Sequence, residues 1–233
     1  MQNETPARQF IKFTFFKVRP EWRLLPEPER RSAKGAFIDT LTQSSESIFT
    51  RTYSCVGMRA DADFLVWQAA PSLDAIQEVT GRLLATPLGP YLETAHSFLA
   101  MTKRSVYVDE HQHEGQDGRR LQIRPAGRRY LFVYPFVKTR EWYQLPFEER
   151  QAMMDEHIRV GHKYPRVKLN TTYSFGLDDQ EFVVAFETDH PEDFLDLVME
   201  LREAKTSLYT LRDTPIFTCI AGDPEGVLAT LGG

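Results

Sequence analysis

The sequence predicts an α+β protein built from tandem ferredoxin-like repeats, whose two sheets could stack and are expected to close, forming a dimeric α+β barrel within one chain. Two observations carry this. A motif recurs at a fixed offset, and the order of elements that follows it recurs as well. Residues 13–30 read FTFFKVRPEWRLLPEPER and residues 133–150 read VYPFVKTREWYQLPFEER. Glu21, Trp22, Leu25, Pro26, Glu29 and Arg30 match Glu141, Trp142, Leu145, Pro146, Glu149 and Arg150, each pair 120 residues apart. One offset shared by six positions, a Trp and a Pro among them, marks a structural repeat.

Each copy opens on an apolar strand, Phe10–Val18 or Tyr130–Lys138. A turn carrying the Trp follows, then Leu-Pro at a helix start, where the missing N–H of proline costs nothing. Glu27 and Glu29, or Glu148 and Glu149, then suit the positive end of the helix dipole. The helices are expected to run to about Thr42 and His162. Strand pairs come next, at 50–57 with 63–69 and at 170–176 with 181–187, joined by the polar links MRADA and LDDQ. Helices are expected over Leu73–Leu84, capped by Ser72, and over Pro191–Glu203, capped by Asp189 with Pro191 just inside. Closing strands are expected near 96–102 and 214–220. Each half is thus β-α-β-β-α-β, the ferredoxin-like pattern. The expected division is 1–108, a polar linker over 109–129, and 130–233.

Composition bounds the function. The net charge of -5 offers no basic surplus for phosphates, so nucleic acid is not an expected partner. No apolar run approaches the ~18 residues of a membrane span, and MQNETPARQF lacks the pattern of a signal peptide, so the cytoplasm is the expected location. Cys55 and Cys219 stand in no metal-ligand spacing and read as buried strand residues in a reducing compartment.

The second-half helix carries the chemistry. Met153, Met154, His157, Ile158 and Gly161 fall on one face at helical spacing, which turns His157 toward the sheet. Such a residue is either a core histidine bonded to a backbone carbonyl or a metal ligand. A lone inward His makes no zinc site, but it suffices for haem, which needs one proximal His from the protein. The first-half position matching His157 is Phe37, so the His stands outside the repeat.

YPFVKTREWYQLPFEER, MMDEH, SFGLDDQEFVVAFE and LRDTPIFT, in this order, resemble the chlorite dismutase superfamily, most strongly over residues 130–220. The resemblance implies haem or iron coproporphyrin as cofactor, usually in homopentamers, with His157 as proximal ligand. Chlorite-degrading members are expected to carry a distal Arg before the GLDD turn. Here that place is Leu169, or Asn170 if the gap falls elsewhere, and neither donates as Arg does; Arg166 lies in the preceding turn. Coproheme decarboxylases instead carry a Tyr in the YP-x-x-K strand, which is Tyr134 here. The resemblance then implies that iron coproporphyrin III is substrate and cofactor together, that hydrogen peroxide is the oxidant, and that Tyr134 forms a radical beside a propionate. Two propionates become vinyls, giving heme b. In the same reading Lys138, with Arg140 or Arg159, meets propionates, while Tyr143, Met153 and Leu169 line the porphyrin. His111 and His113 are the candidates for a distal base; both also read as loop histidines.

Overall fold

The computed structural model describes residues 7–107, 121–123 and 125–232. Most of the expected linker, with His111 and His113, lies outside the described residues. The first half contributes β1 (Phe10–Val18), α1 (Glu27–Ser44), β2 (Phe49–Ser54), β3 (Phe64–Ala70), α2 (Leu73–Leu84) and β4 (Leu92–Met101). The second contributes β5 (Tyr130–Lys138), the short α3 (Arg140–Gln144), α4 (Phe147–His162), β6 (Lys168–Tyr173), β7 (Phe182–Thr188) and α5 (Pro191–Glu203). A short strand β8 (Thr210–Arg212), a closing strand β9 (Phe217–Gly222) and a terminal helix α6 (Pro224–Ala229) complete it.

All strands pair antiparallel, in the order β7-β6-β4-β1-β3-β2-β9-β5, and β5 also pairs with β7. That last pairing closes the sheet into a ring and removes its free edges. The halves meet at two seams: β2 on β9, at Thr52–Ser54 against Ile220–Gly222, and β4 on β6 through Met101 and Tyr173. β8 lies beside the end of β5, with Val137 opposite Arg212.

The period-2 pattern of the strands sorts the core into layers. Ile11, Phe13 and Phe15 of β1, Leu65 and Trp67 of β3, Leu131 and Val133 of β5, and Phe217 and Cys219 of β9 point into the barrel. There the rings of Phe15 and Phe217 stack with centroids 3.9 Å apart. The alternate residues point out to the helices. In the first half this outer layer holds Phe16, Phe37 and Phe64 with Val227, Leu228 and Leu231, so the chain's C-terminal helix is packed into the first-half core. In the second half it holds Phe132, Val184, Phe186 and Phe194 under α4 and α5.

Local chemistry explains the turns. Ser72 accepts from the Ala75 N–H at 3.2 Å, as an N-cap should. Asp189 does not cap α5. Its carboxylate instead accepts from the Arg129 N–H and from Arg128, which leaves His190 at the cap position of α5. Pro26 and Pro146 sit at the N-cap itself, one residue earlier than expected, because both hold extended backbone with ψ near 145°. Gly57 and Gly176 occupy matching places after β2 and β6, with φ of 80° and 72°, a region open to glycine. Glu187, fully buried, accepts from the Ala126 and Gly127 N–H groups and from the Asn170 amide, with Arg51 at 3.8 Å. It thereby pins the chain where the second half begins.

Phe37 is fully buried, edge-on to both Phe16 and Phe64. Truncating a buried phenylalanine costs about 3–5 kcal/mol. The expected outcome for Phe37→Ala is a loss of that order in denaturant unfolding, with the second-half cavity still able to bind its ligand.

Candidate functional site

The second half encloses a cavity of about 750 Å³ between the outer face of the sheet and α4. This lies within the ~300–1,000 Å³ common for small-molecule sites. β5 supplies Tyr134, Phe136 and Lys138; β6 supplies Leu169 and Asn170; β7 supplies Phe182, Val184 and Phe186. α4 presents Met154, His157, Ile158 and His162, spaced by three, one and four residues along one face. Met153 is not among the lining residues: the helix turns ~100° per residue, so the inward stripe that includes Met154 and His157 leaves it to one side.

His157 is the chemical centre of this wall. Its Nδ1 lies 3.3 Å from the Thr206 hydroxyl, in the turn Lys205–Tyr209 that follows α5. Burial, aided by the nearby Lys138 ammonium, lowers its pKa to about 4. The ring is therefore neutral at physiological pH, and with Nδ1 engaged, Nε2 is the nitrogen left for a ligand.

Lys138 is no exposed strand-end lysine. It is buried, and its Nζ donates to the Thr206 carbonyl at 2.7 Å. The ammonium stands 4.7 Å from the centroid of the Trp142 ring and 5.3 Å from that of Phe136. Burial lowers its pKa to about 8, against the opposing pull of Glu181. Trp142 is itself buried and is not among the cavity-lining residues. Glu181 organises the same end of β5: its carboxylate accepts from the Lys138 N–H at 2.8 Å and from the Tyr143 hydroxyl at 2.6 Å. Tyr143 thus lines the cavity with its hydroxyl committed, and burial and the Glu181 contact push its pKa far up.

Tyr134 is stacked on Phe186, with ring centroids 6.0 Å apart. Burial, and then the Asp213 carboxylate, push its pKa well above the ordinary phenol range, so it stays protonated. Asp213 and Arg202 form an ion pair on the same cavity wall. Further basic residues stand around the cavity: Arg8, Lys103, Arg104, Arg150 and Lys168. Asp213 is the one acidic side chain among the described lining residues. Arg140 and Arg159 are exposed and lie off the cavity wall, and Arg166 is paired with Asp193. Leu169, 41% exposed, offers the cavity an apolar side chain, and the Asn170 amide is spent on Glu187.

Among the described residues of the first half, the matching positions carry no such side chains. Phe37 stands where His157 does, Thr14 where Tyr134 does and Val18 where Lys138 does, all 120 residues earlier. Its outer layer is filled by aromatic rings and the C-terminal helix. Thr206, Met154 and the Arg202–Asp213 pair are the residues that sequence reasoning left unassigned. Met154 was visible on the helical stripe. Thr206 follows His157 by 49 residues in a turn with no sequence signature.

A two-repeat α+β barrel with one repeat filled and the other hollowed around a neutral imidazole defines the class. A family model for chlorite dismutase matches residues 30–222, and the chain belongs to the chlorite dismutase family. It is 33% identical over 228 residues to a coproheme decarboxylase of Mycolicibacterium smegmatis, covering 96% of this chain and 94% of that one. A chlorite dismutase variant from Candidatus Nitrospira defluvii superposes with a TM-score of 0.86 at 27% identity, over 94% of each chain. A heme-binding protein from Thermus thermophilus superposes with a TM-score of 0.85 at 26% identity, over 97% of this chain and 95% of that one.

The depressed pKa of His157 makes a direct prediction. Its ring carbon and proton resonances should titrate near pH 4 rather than near 6.5. Binding of a metal ligand at Nε2 should then be level between pH 6 and 8, by this ~2-unit margin, and fall as acid protonates the ring. A midpoint near 6.5 would mean that the ring is solvated.

Proposed function

We propose that the protein is a coproheme decarboxylase, converting iron coproporphyrin III to heme b with hydrogen peroxide as oxidant. The observation that carries this reading is the shared cavity: a neutral His157 and a protonated Tyr134 line one pocket whose charged walls are overwhelmingly basic. The residues fit the group. A neutral imidazole suits iron, the rings of Phe136, Phe182 and Phe186 suit a flat macrocycle, and the surrounding cations suit a ligand with four carboxylates. Bound at His157, the iron porphyrin would supply the oxidising equivalents it takes from peroxide.

The chain's own residues then have distinct parts. His157 holds the iron. Arg202 and the other basic side chains hold carboxylates and set which one lies near Tyr134. The phenol of Tyr134, kept protonated by burial, would give up the hydrogen on Oη to the first oxidising equivalent and take a hydrogen atom back from the adjacent propionate; a second equivalent would remove the remaining electron as carbon dioxide leaves and the vinyl forms. Stacking on Phe186 holds the ring for this exchange. Leu169 at the expected place of the distal Arg weighs against chlorite as substrate. None of the helices among the described residues is long and apolar enough to cross a membrane. A cytoplasmic location and a homopentameric assembly belong to the same reading, by family resemblance.

The test is a titration with iron coproporphyrin III followed by a few equivalents of peroxide, with products read by mass spectrometry. Wild type should lose two carboxyl groups in steps, and Tyr134→Phe should bind the porphyrin but lose most of this conversion, on the order of 10²-fold or more. Tight binding without mass loss in the wild type would overturn the decarboxylase reading.

A further inference from the structure

We propose that Thr206 is the positioning residue for His157: its hydroxyl accepts the Nδ1–H, fixing the tautomer that leaves Nε2 bare toward the cavity, and it does so with a neutral oxygen. The proposal deepens the haem reading above and rests on it for its consequence at iron.

The geometry fixes Thr206 from two sides. Its side chain meets His157 Nδ1 at 3.3 Å, and its carbonyl receives the Lys138 ammonium at 2.7 Å. The residue is 3% exposed, so water does not compete for the hydroxyl. Lys138 is itself held between the Trp142 and Phe136 rings, which makes the anchor stiff. The turn is tied to its surroundings at both neighbours as well: the Lys205 N–H reaches Glu156, and the Ser207 hydroxyl reaches the Arg202 carbonyl.

The acceptor's charge decides what the imidazole offers. Ligating histidines usually pass their second N–H to a carboxylate, a carbonyl or water, and a carboxylate makes the ring a stronger donor. Among the described residues, no carboxylate hydrogen-bonds the His157 ring. Glu181, near Lys138, is committed to the Lys138 N–H and the Tyr143 hydroxyl. A neutral hydroxyl, with the Lys138 ammonium bound to the carbonyl of the same residue, gives the ring little anionic character. Iron held by this imidazole would be weakly bound to it and would sit at a comparatively high potential.

Nitrogen-15 NMR of the unloaded protein tests the tautomer directly. The expected result is a neutral His157 ring with its hydrogen on Nδ1; a ring protonated on Nε2 in the wild type would overturn the proposal. Thr206→Val should mix the two tautomers, and Thr206→Ser should restore the wild-type spectrum. In protein loaded with iron coproporphyrin III, Thr206→Val should lower the ferrous iron–imidazole stretching frequency and raise the midpoint potential, with Thr206→Ser again close to wild type. A folded, porphyrin-binding Thr206→Val with unchanged tautomer, frequency and potential would also overturn it. Failure of the wild type to take up any iron porphyrin would instead sink the haem reading, while the NMR result on the unloaded protein would still decide the part of Thr206.

Discussion

The central strands β1, β3, β5 and β7 have two faces to bury, and the pairing of β5 with β7 is what makes that hold. It closes the sheet, so the barrel interior is enclosed and the outer face must be covered by helices. The interior is shared by both halves and is fully packed, with Phe13, Phe15, Trp67 and Phe217 among its largest members. The difference that creates a site lies in the outer layer. There the halves part company: one is filled with Phe16, Phe37, Phe64 and the C-terminal helix, and the other is left open around His157. A duplicated scaffold has thus acquired one site through changes at a few outward-facing positions.

Burial has opposite uses at the two ends of the cavity. At His157 it disfavours the imidazolium and so keeps a nitrogen lone pair ready for a metal. At Tyr134 it disfavours the phenolate and so keeps a hydrogen on the oxygen. The same low-polarity environment prepares a base in its neutral form and an acid in its neutral form, on facing elements of one pocket. Arg8, Lys103, Arg104, Arg150, Lys168 and Arg202 give the cavity walls their positive charge.

Much of this was legible in the sequence, for physical reasons. The repeat motif placed β1 and β5 at the residues observed, because strands with apolar positions on both faces read as near-continuous apolar runs. α2 and α5 were read at their observed bounds from helical spacing and a Ser cap or an N1 proline. The helical stripe turned His157 inward. The strand pattern put Tyr134 on the face opposite Val133, which the structure shows to be the cavity face. What stayed hidden depends on contacts between distant segments. Thr206 reaches His157 only after α5 has folded back over α4, and no local signal marks it. Asp189 has the composition of a cap but is drawn away by Arg128 and Arg129, a tertiary contact that overrides local preference. Lys138, expected to meet a propionate, is buried by the Trp142 ring and the Thr206 carbonyl, contacts that no local pattern marks. α6 was missed because its partners, Phe37 and its neighbours, lie nearly 200 residues earlier.

In the proposed reading the second repeat alone holds the iron porphyrin, through Nε2 of His157. The most direct measurement is a crystal structure of the protein loaded with iron coproporphyrin III, with the iron located by its anomalous scattering. One iron per chain at bonding distance from His157 Nε2, with none in the first half, is the predicted result. Iron bound elsewhere, or in both halves, would contradict it.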